Sequence, residues 1–523
     1  MDALNVFIAI ALIHCSLFFF DTVFKTCSHF PYIYFLKNTG LEVHLMRVKW
    51  FTTVFNRKII KWGMDRSKFW TAWFNTGVII SIIILPIVMI AILRATFNIW
   101  TAGPSADSKN SPVLLEPMLP GVDIPFNELG YYTVTLAICT IVHELGHALA
   151  AVREDVQLYG VGMLLAFTIP VAYVNINNEQ FESLPLRNRL RITCAGVWHN
   201  IILAALAAAI LVLSTWFWAP LYNVNSGVYI KSISSNSPLR GQTGLLEYDI
   251  IYKINNCPVK NSEDWYQCIL NTIHRPAPGY CVKQSFIQEY DESVPPIQKN
   301  NVVNCCTLDS ETMGSLCFEY IEGPQGAPLH LPPHSCLPAR AMINQSQNYC
   351  QTSHECSSQD THCIKPSLDN VTKVCNIWFI INFAKNIPCF NVFTMLLQIV
   401  QIKRKMGKDV LFFGHPADIY RTVDVSDWVP KYSFLKPSIP ESLVLLCKYI
   451  TMFSAGLAVI NVVPCFLFDG QYIINILVLY ISNVIPYNRN IREALTLTIT
   501  SIGTILLSIN IVYLLINKYY YNL

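Results

Sequence analysis

Residues 131–151 read Tyr131-Tyr-Thr-Val-Thr-Leu-Ala-Ile-Cys-Thr-Ile-Val-His143-Glu144-Leu-Gly-His147-Ala-Leu-Ala-Ala151. That is about the length a helix needs to cross a bilayer. Ionisable groups inside such a helix are costly and mark function by default. His143 and His147 stand four apart and share one face. Two imidazoles so placed can ligate one zinc ion. Glu144, beside the first of them, can reach a zinc-bound water. The pattern is that of a zinc metalloprotease, and its address is the membrane. The alternative is two satisfied structural histidines and a stray carboxylate. It leaves polar groups unpaired in hydrocarbon, a cost that a metal removes for the histidines.

Working outward, 53% of the chain is hydrophobic and only 14% is charged, which makes it a polytopic α-helical membrane protein. The net charge of +3 is too small to suggest a nucleic-acid partner. Long apolar stretches fall at about 5–24, 72–98, 131–151, 192–218, 442–480 and 494–516. The first lacks a cleavage signal and contains Asp21, so it reads as a retained anchor. Residues 155–175 are apolar but rich in Gly, Val, Phe and Pro, and read as a hairpin or re-entrant segment. Such backbone survives at membrane depth only when buried in protein or lining a wet cavity.

Cysteine divides the chain. Twelve of its 18 cysteines lie between Cys257 and Cys389. An even, irregularly spaced set in a loop-rich polar segment reads as a disulfide framework in an oxidising compartment. The glycosylation sequons at Asn344 and Asn370 fall in the same segment. Together they place 219–440 in the lumen or outside the cell. Residues 25–68 carry nine Lys or Arg against Glu42 and Asp65, so that loop reads as cytosolic. Loop 99–130 is acidic and reads as lumenal, which sends His143 and His147 into the cytosolic half of the membrane.

The expected organisation follows. Residues 1–98 hold N-terminal membrane segments with a basic loop, and 99–130 a lumenal loop. Residues 131–218 form the first part of a catalytic membrane core, and 219–440 a lumenal region. Residues 441–486 form the second part of the core, and 487–523 a C-terminal membrane segment.

A catalytic zinc usually takes three protein ligands and keeps one position for water. In the apolar segment from Ser442 to Pro486 the one carboxylate is Asp469, within Asn461-Val-Val-Pro464-Cys-Phe-Leu-Phe-Asp469-Gly470. Pro464 breaks regular helix and frees backbone groups with which a substrate strand could pair. Asn461 and Pro464 are therefore substrate-binding candidates. Asn200, in Cys194-Ala-Gly-Val-Trp-His199-Asn200, is a third, with an interhelical hydrogen bond as its plainer account. His199 is the rival third ligand.

These three motifs together resemble the site-2 protease family of intramembrane metalloproteases. The resemblance runs over nearly the whole chain, and its length and Cys-rich insert are similar to the animal members. It implies a core of three membrane segments and one zinc ion held by His143, His147 and Asp469, with Glu144 as catalytic acid/base. Phe468 stands where the family usually has Leu. The implied substrates are single-pass or hairpin membrane-anchored transcription factors, of the sterol-regulatory element-binding type and an ER-stress type. They would already be trimmed on the lumenal side, and the cut would release the cytosolic fragment. The implied location is a Golgi or ER membrane. Residues 227–256 resemble a PDZ domain that the Cys-rich segment interrupts, a module that can bind peptide ends by strand addition. A zinc transporter or a non-catalytic scaffold is the alternative. The first would not need Glu144 beside a ligand, and the second would not keep the full set.

Overall fold

The computed structural model describes residues 3–101, 128–241, 244–275, 277–299, 302–307, 314–320, 333–346, 348–351, 355–356, 360–367, 370–371, 395–396, 398–484 and 488–521. The chain forms two compact units, Met1–Ser214 with Ser442–Leu523, and Thr215–Glu441.

In chain order the first unit begins with α1 (Ala3–Thr26), α2 (Phe30–Thr39), β1 (Leu41–His44), β2 (Arg47–Thr52), α3 (Asn56–Met64) and α4 (Ser67–Thr101). It continues with α5 (Leu129–Arg153), β3 (Leu158–Ala166), β4 (Ile169–Ile176), α6 (Asn178–Ser183) and α7 (Leu186–Trp218). The helices Ser438–Val462, Asp469–Val484 and Arg489–Tyr521 complete it. Among the described residues six helices are long and apolar enough to cross a membrane: α1, α4, α5, α7, Ser438–Val462 and most of the last. This is a multi-pass membrane protein. The apolar stretch expected over 442–480 is two helices, because the chain breaks between Val462 and Asp469 around Pro464.

Residues 155–175 do form a hairpin, β3–β4. The basic loop holds something the charge count alone hides. Leu41-Glu-Val-His44 and Arg47-Val-Lys-Trp50 alternate apolar and polar residues, the period of a strand. They pair as β1–β2 and join the first hairpin in one antiparallel sheet of order β1-β2-β3-β4. β4 is an edge strand, and it lies beside α5.

Small residues let α5 sit close to its neighbours. Ala148, Ala150 and Ala151 are fully buried in a cluster with Phe74, Ile192 and Ala195. Beyond the end of α5, Glu154 accepts from Arg191 of α7 at 2.9 Å, and Arg191 also donates to Asn75 of α4 at 2.9 Å. Both members of the ion pair are largely buried, so losing one strands a charge. Glu154→Ala is expected to destabilise the unit by about 3–5 kcal/mol. A thermal-shift measurement in detergent checks this. An unchanged midpoint would show the pair to be idle.

The second unit is β-rich. Its larger sheet runs Val410–Gly414, Gln398–Arg404, Ile250–Ile254, Val228–Ile233, Val423–Ser426, with Cys257–Pro258 paired to Ile250–Ile254. Strands from before and after the Cys-rich stretch thus share one sheet, around a core of Val228, Ile230, Ile251, Ile254, Trp265, Val400 and Ile402. The intervening segment forms its own five-stranded sheet. Among the described residues five disulfides lie in this unit: Cys257–Cys268, Cys281–Cys356, Cys305–Cys317, Cys306–Cys336 and Cys350–Cys363. Cys375 and Cys389 lie outside the described residues. The six cysteines that are free among the described residues, from Cys15 to Cys465, all belong to the first unit. Asn344 is exposed on the helix Ala339–Gln345, and Asn370 begins the short strand Asn370–Val371.

Candidate metal centre

α5 presents His143, Glu144 and His147, whose donor atoms lie within 4.8 Å of one another. Asp469 reaches them from the first turn of its helix. The entry to that helix is tight. Leu467 is held at φ +74°, and a Cβ on Gly470 would lie 2.0 Å from the Val463 carbonyl oxygen. Only glycine lets the chain turn that closely after the ligand candidate. Phe468, at the position where Leu was expected, packs against the Val88, Ile92, Val463 and Leu507 cluster.

Asp469 Oδ2 lies 3.1 Å from His143 Nε2 and 3.2 Å from His147 Nε2, and the two Nε2 atoms are 3.1 Å apart. The three side chains are 9%, 12% and 19% exposed. The far sides of both rings are held by α7. His147 Nδ1–H donates to the Ile192 carbonyl at 2.8 Å. A neutral imidazole that donates through Nδ1 has only a lone pair at Nε2. That lone pair faces a second imidazole nitrogen and a carboxylate oxygen, an arrangement that a cation reconciles. Tetrahedral zinc with ligands at about 2.0–2.1 Å sets them about 3.3 Å apart. The donor set and its spacing fit zinc.

Asn200 is fully buried, and its amide lies 3.2 Å from His143 Nδ1. The amide nitrogen faces the ring, and Oδ1 has no partner among the described residues. Turning the amide over lets Oδ1 accept from Nδ1–H, which satisfies both groups and frees His143 Nε2 for the metal. The expected interhelical bond of Asn200 is therefore a bond to a ligand candidate. His199 bonds to its own helix through the Ala195 carbonyl at 2.8 Å and is not among the converging donors. Asn461 donates to Leu457 in the preceding turn, and Pro464 is buried. Among the described residues neither bonds to the histidines or to Asp469.

Three groups escape a reading by residue type. Two are backbone: the Ile192 carbonyl, and the Val174 amide of β4, which donates to Glu144 Oε2 at 3.0 Å. The third is Gly196. A Cβ there would lie 2.4 Å from His147 Nε2 and 2.6 Å from His143 Nε2. The only sequence signal for it is a small residue between Cys194 and Asn200.

Comparison with known proteins gives the family. The profile described as "Peptidase family M50" matches residues 131–507. The match runs from the start of the motif helix through Asp469 and covers well over half of the chain. The chain belongs to peptidase family M50. It is also similar to a "Membrane-bound transcription factor site-2 protease homolog" of Arabidopsis thaliana, 29% identical over 213 residues. That match covers 41% of this chain and 40% of the relative's own length. As an M50 member, the chain carries the metallopeptidase motif on a helix long and apolar enough to cross a membrane.

Proposed function

We propose that this chain is a zinc endopeptidase that cuts membrane-anchored substrates within or near their transmembrane segment. The convergence of two imidazole nitrogens and the Asp469 carboxylate at 3.1–3.2 Å carries the reading. His143, His147 and Asp469 would hold the ion. When bound, zinc supplies Lewis acidity and lowers the pKa of a water toward about 7. Glu144 takes the proton from the attacking water and passes it to the leaving amine. Its Oε2 is fixed by the Val174 amide, which leaves the other oxygen for that exchange. Asn200 and Ile192 orient the two rings.

A transmembrane helix hides its peptide bonds, so the substrate has to unwind. Among the described residues β4 is an edge strand that bonds Glu144 through the Val174 amide, and an extended segment can pair along the rest of that edge. The substrate class that the relative's name suggests is a membrane-bound transcription factor. The sterol-regulatory element-binding type and the ER-stress type, cut after a first lumenal cleavage, fit a site in the cytosolic half of the membrane. The exposed Asn344 and the disulfides support a lumenal second unit in the Golgi or ER. There its PDZ-like sheet would admit only trimmed substrates. A zinc transporter would leave Glu144 and its Val174 bond without a task.

Gly costs about 1 kcal/mol and Pro about 3 kcal/mol in a helix relative to Ala. Substrate spans containing Asn, Gly or Pro should therefore be cut, and replacing those residues with Leu should slow cleavage about tenfold or more. Co-expression with matched substrates checks this. Equal cleavage of native and Leu-stabilised spans would sink the unwinding step.

A further inference from the structure

We propose that His14, in the first membrane helix, is a positioning residue. It holds the β3–β4 hairpin in the register that brings the Val174 amide to Glu144. The inference rests on Glu144 being the general base.

His14 is buried, although most of α1 around it is exposed. Its Nε2–H donates to the Phe167 carbonyl at 2.9 Å. A carbonyl only accepts, so the proton sits on Nε2, and Nδ1 is buried without a partner among the described residues. An ionisable group in a span is costly, and the one bond His14 makes is to the tip of this hairpin.

That tip is poorly encoded where it stands. The pairs Leu165–Pro170 and Ala166–Ile169 leave Phe167 and Thr168 as a two-residue turn. Phe167 sits at φ +57°, and Thr168 is not in the left-handed region. A left-handed first position followed by an ordinary second one asks for Gly at the first. A bulky residue in that region persists only when its surroundings over-determine it. They do so here from three directions. The Phe167 amide donates to the Met46 carbonyl at 3.0 Å, its carbonyl accepts from His14, and its ring stacks with His14 at 6.2 Å and Phe7 at 5.9 Å. The missing turn code has moved to α1.

The far end of the hairpin gives the hold its consequence. The β3–β4 ladder shifts register between Leu158 and Gly160, so the open end is irregular and the turn fixes the pairing. Val174 lies seven residues beyond Phe167, about 20 Å along an extended strand. A one-residue slip exchanges the two faces of β4 and turns the Val174 amide away from Glu144.

The test measures cleavage of an anchored substrate per mole of zinc-loaded full-length protein. His14→Phe keeps a ring and removes the N–H donor, whereas His14→Gln keeps a donor. His14→Phe is expected to lower kcat about tenfold with KM within about twofold and zinc content unchanged. His14→Gln should stay near wild type. Adding Phe167→Gly to His14→Phe supplies the residue the turn asks for, and should restore kcat to within about threefold of wild type. A role confined to inserting or packing α1 would be worsened, not relieved, by Phe167→Gly, which removes a ring that α1 packs against. Full kcat in His14→Phe overturns the proposal, as does a double variant as slow as the single one. So does failure of His14→Phe to yield zinc-loaded protein. A wild-type protein that binds zinc and cleaves nothing removes the peptidase reading and this one with it. Full speed in His14→Phe beside an active wild type removes this one alone.

Discussion

Gly196→Ala is expected to empty the metal centre and abolish cleavage in a chain that still folds. The added methyl would lie 2.4 Å from His147 Nε2 and 2.6 Å from both Nε2 and Cε1 of His143. Those nitrogens are the metal-facing atoms of the proposed site. Neither ring can swing aside without breaking a bond to α7, since Ile192 holds one and Asn200 the other. α7 cannot withdraw for the same reason. Helix propensity works the other way, because Ala favours a helix interior over Gly by about 1 kcal/mol. A loss of activity therefore cannot be put down to a weakened helix. The expected result is zinc content near zero, with cleavage lost about as fully as when a ligand is removed. Metal analysis of purified protein and a cleavage assay on the same preparation check it. A Gly196→Ala protein that keeps its zinc and its rate would show that the helices part at this crossing, and that the site does not depend on it.

How much of this was legible in the sequence depends on the kind of group. Side chains that carry chemistry announce themselves by being polar where the chain is apolar. His143, Glu144 and His147 do so by spacing, and Asp469 by being the one carboxylate in its apolar segment. The structure brings His143, His147 and Asp469 together from helices far apart in the chain. Groups that act through backbone or through absence leave no such mark. The Ile192 carbonyl and the Val174 amide belong to ordinary apolar residues, and Gly196 works by having no side chain. The sheet was half legible. Its β3–β4 hairpin shows in the Gly, Val and Pro content of 155–175. The strands at 41–52 are written in plain alternation, but net basic charge is the louder feature of that loop. His14 carried a signal of its own, an ionisable residue inside the first apolar stretch, but its partner is a carbonyl whose place depends on the fold.

Glu144→Gln should abolish cleavage while leaving zinc in place, and the structure says why the two separate. The ligand candidates are His143, His147 and Asp469, and among the described residues none of their hydrogen bonds or ion pairs is made by the Glu144 side chain. Glu144 is instead held by the Val174 amide, a donor. The carbonyl oxygen of Gln can accept that same bond, so the side chain stays where it was and the hairpin register is undisturbed. What the amide cannot do is take a proton from water and return it to the leaving nitrogen. The expected loss is about 10²–10⁴-fold in cleavage, with zinc content equal to wild type. His143→Ala, His147→Ala and Asp469→Asn should each lose metal and activity together, because there the donor itself is removed. Zinc analysis beside the cleavage assay thus sorts the four residues into one proton carrier and three ligands. Substantial cleavage by a zinc-loaded Glu144→Gln protein would place the base elsewhere. Asp469→Asn with full zinc and full rate would take the third ligand away from Asp469 and make His199 the next residue to replace, despite its bond to Ala195.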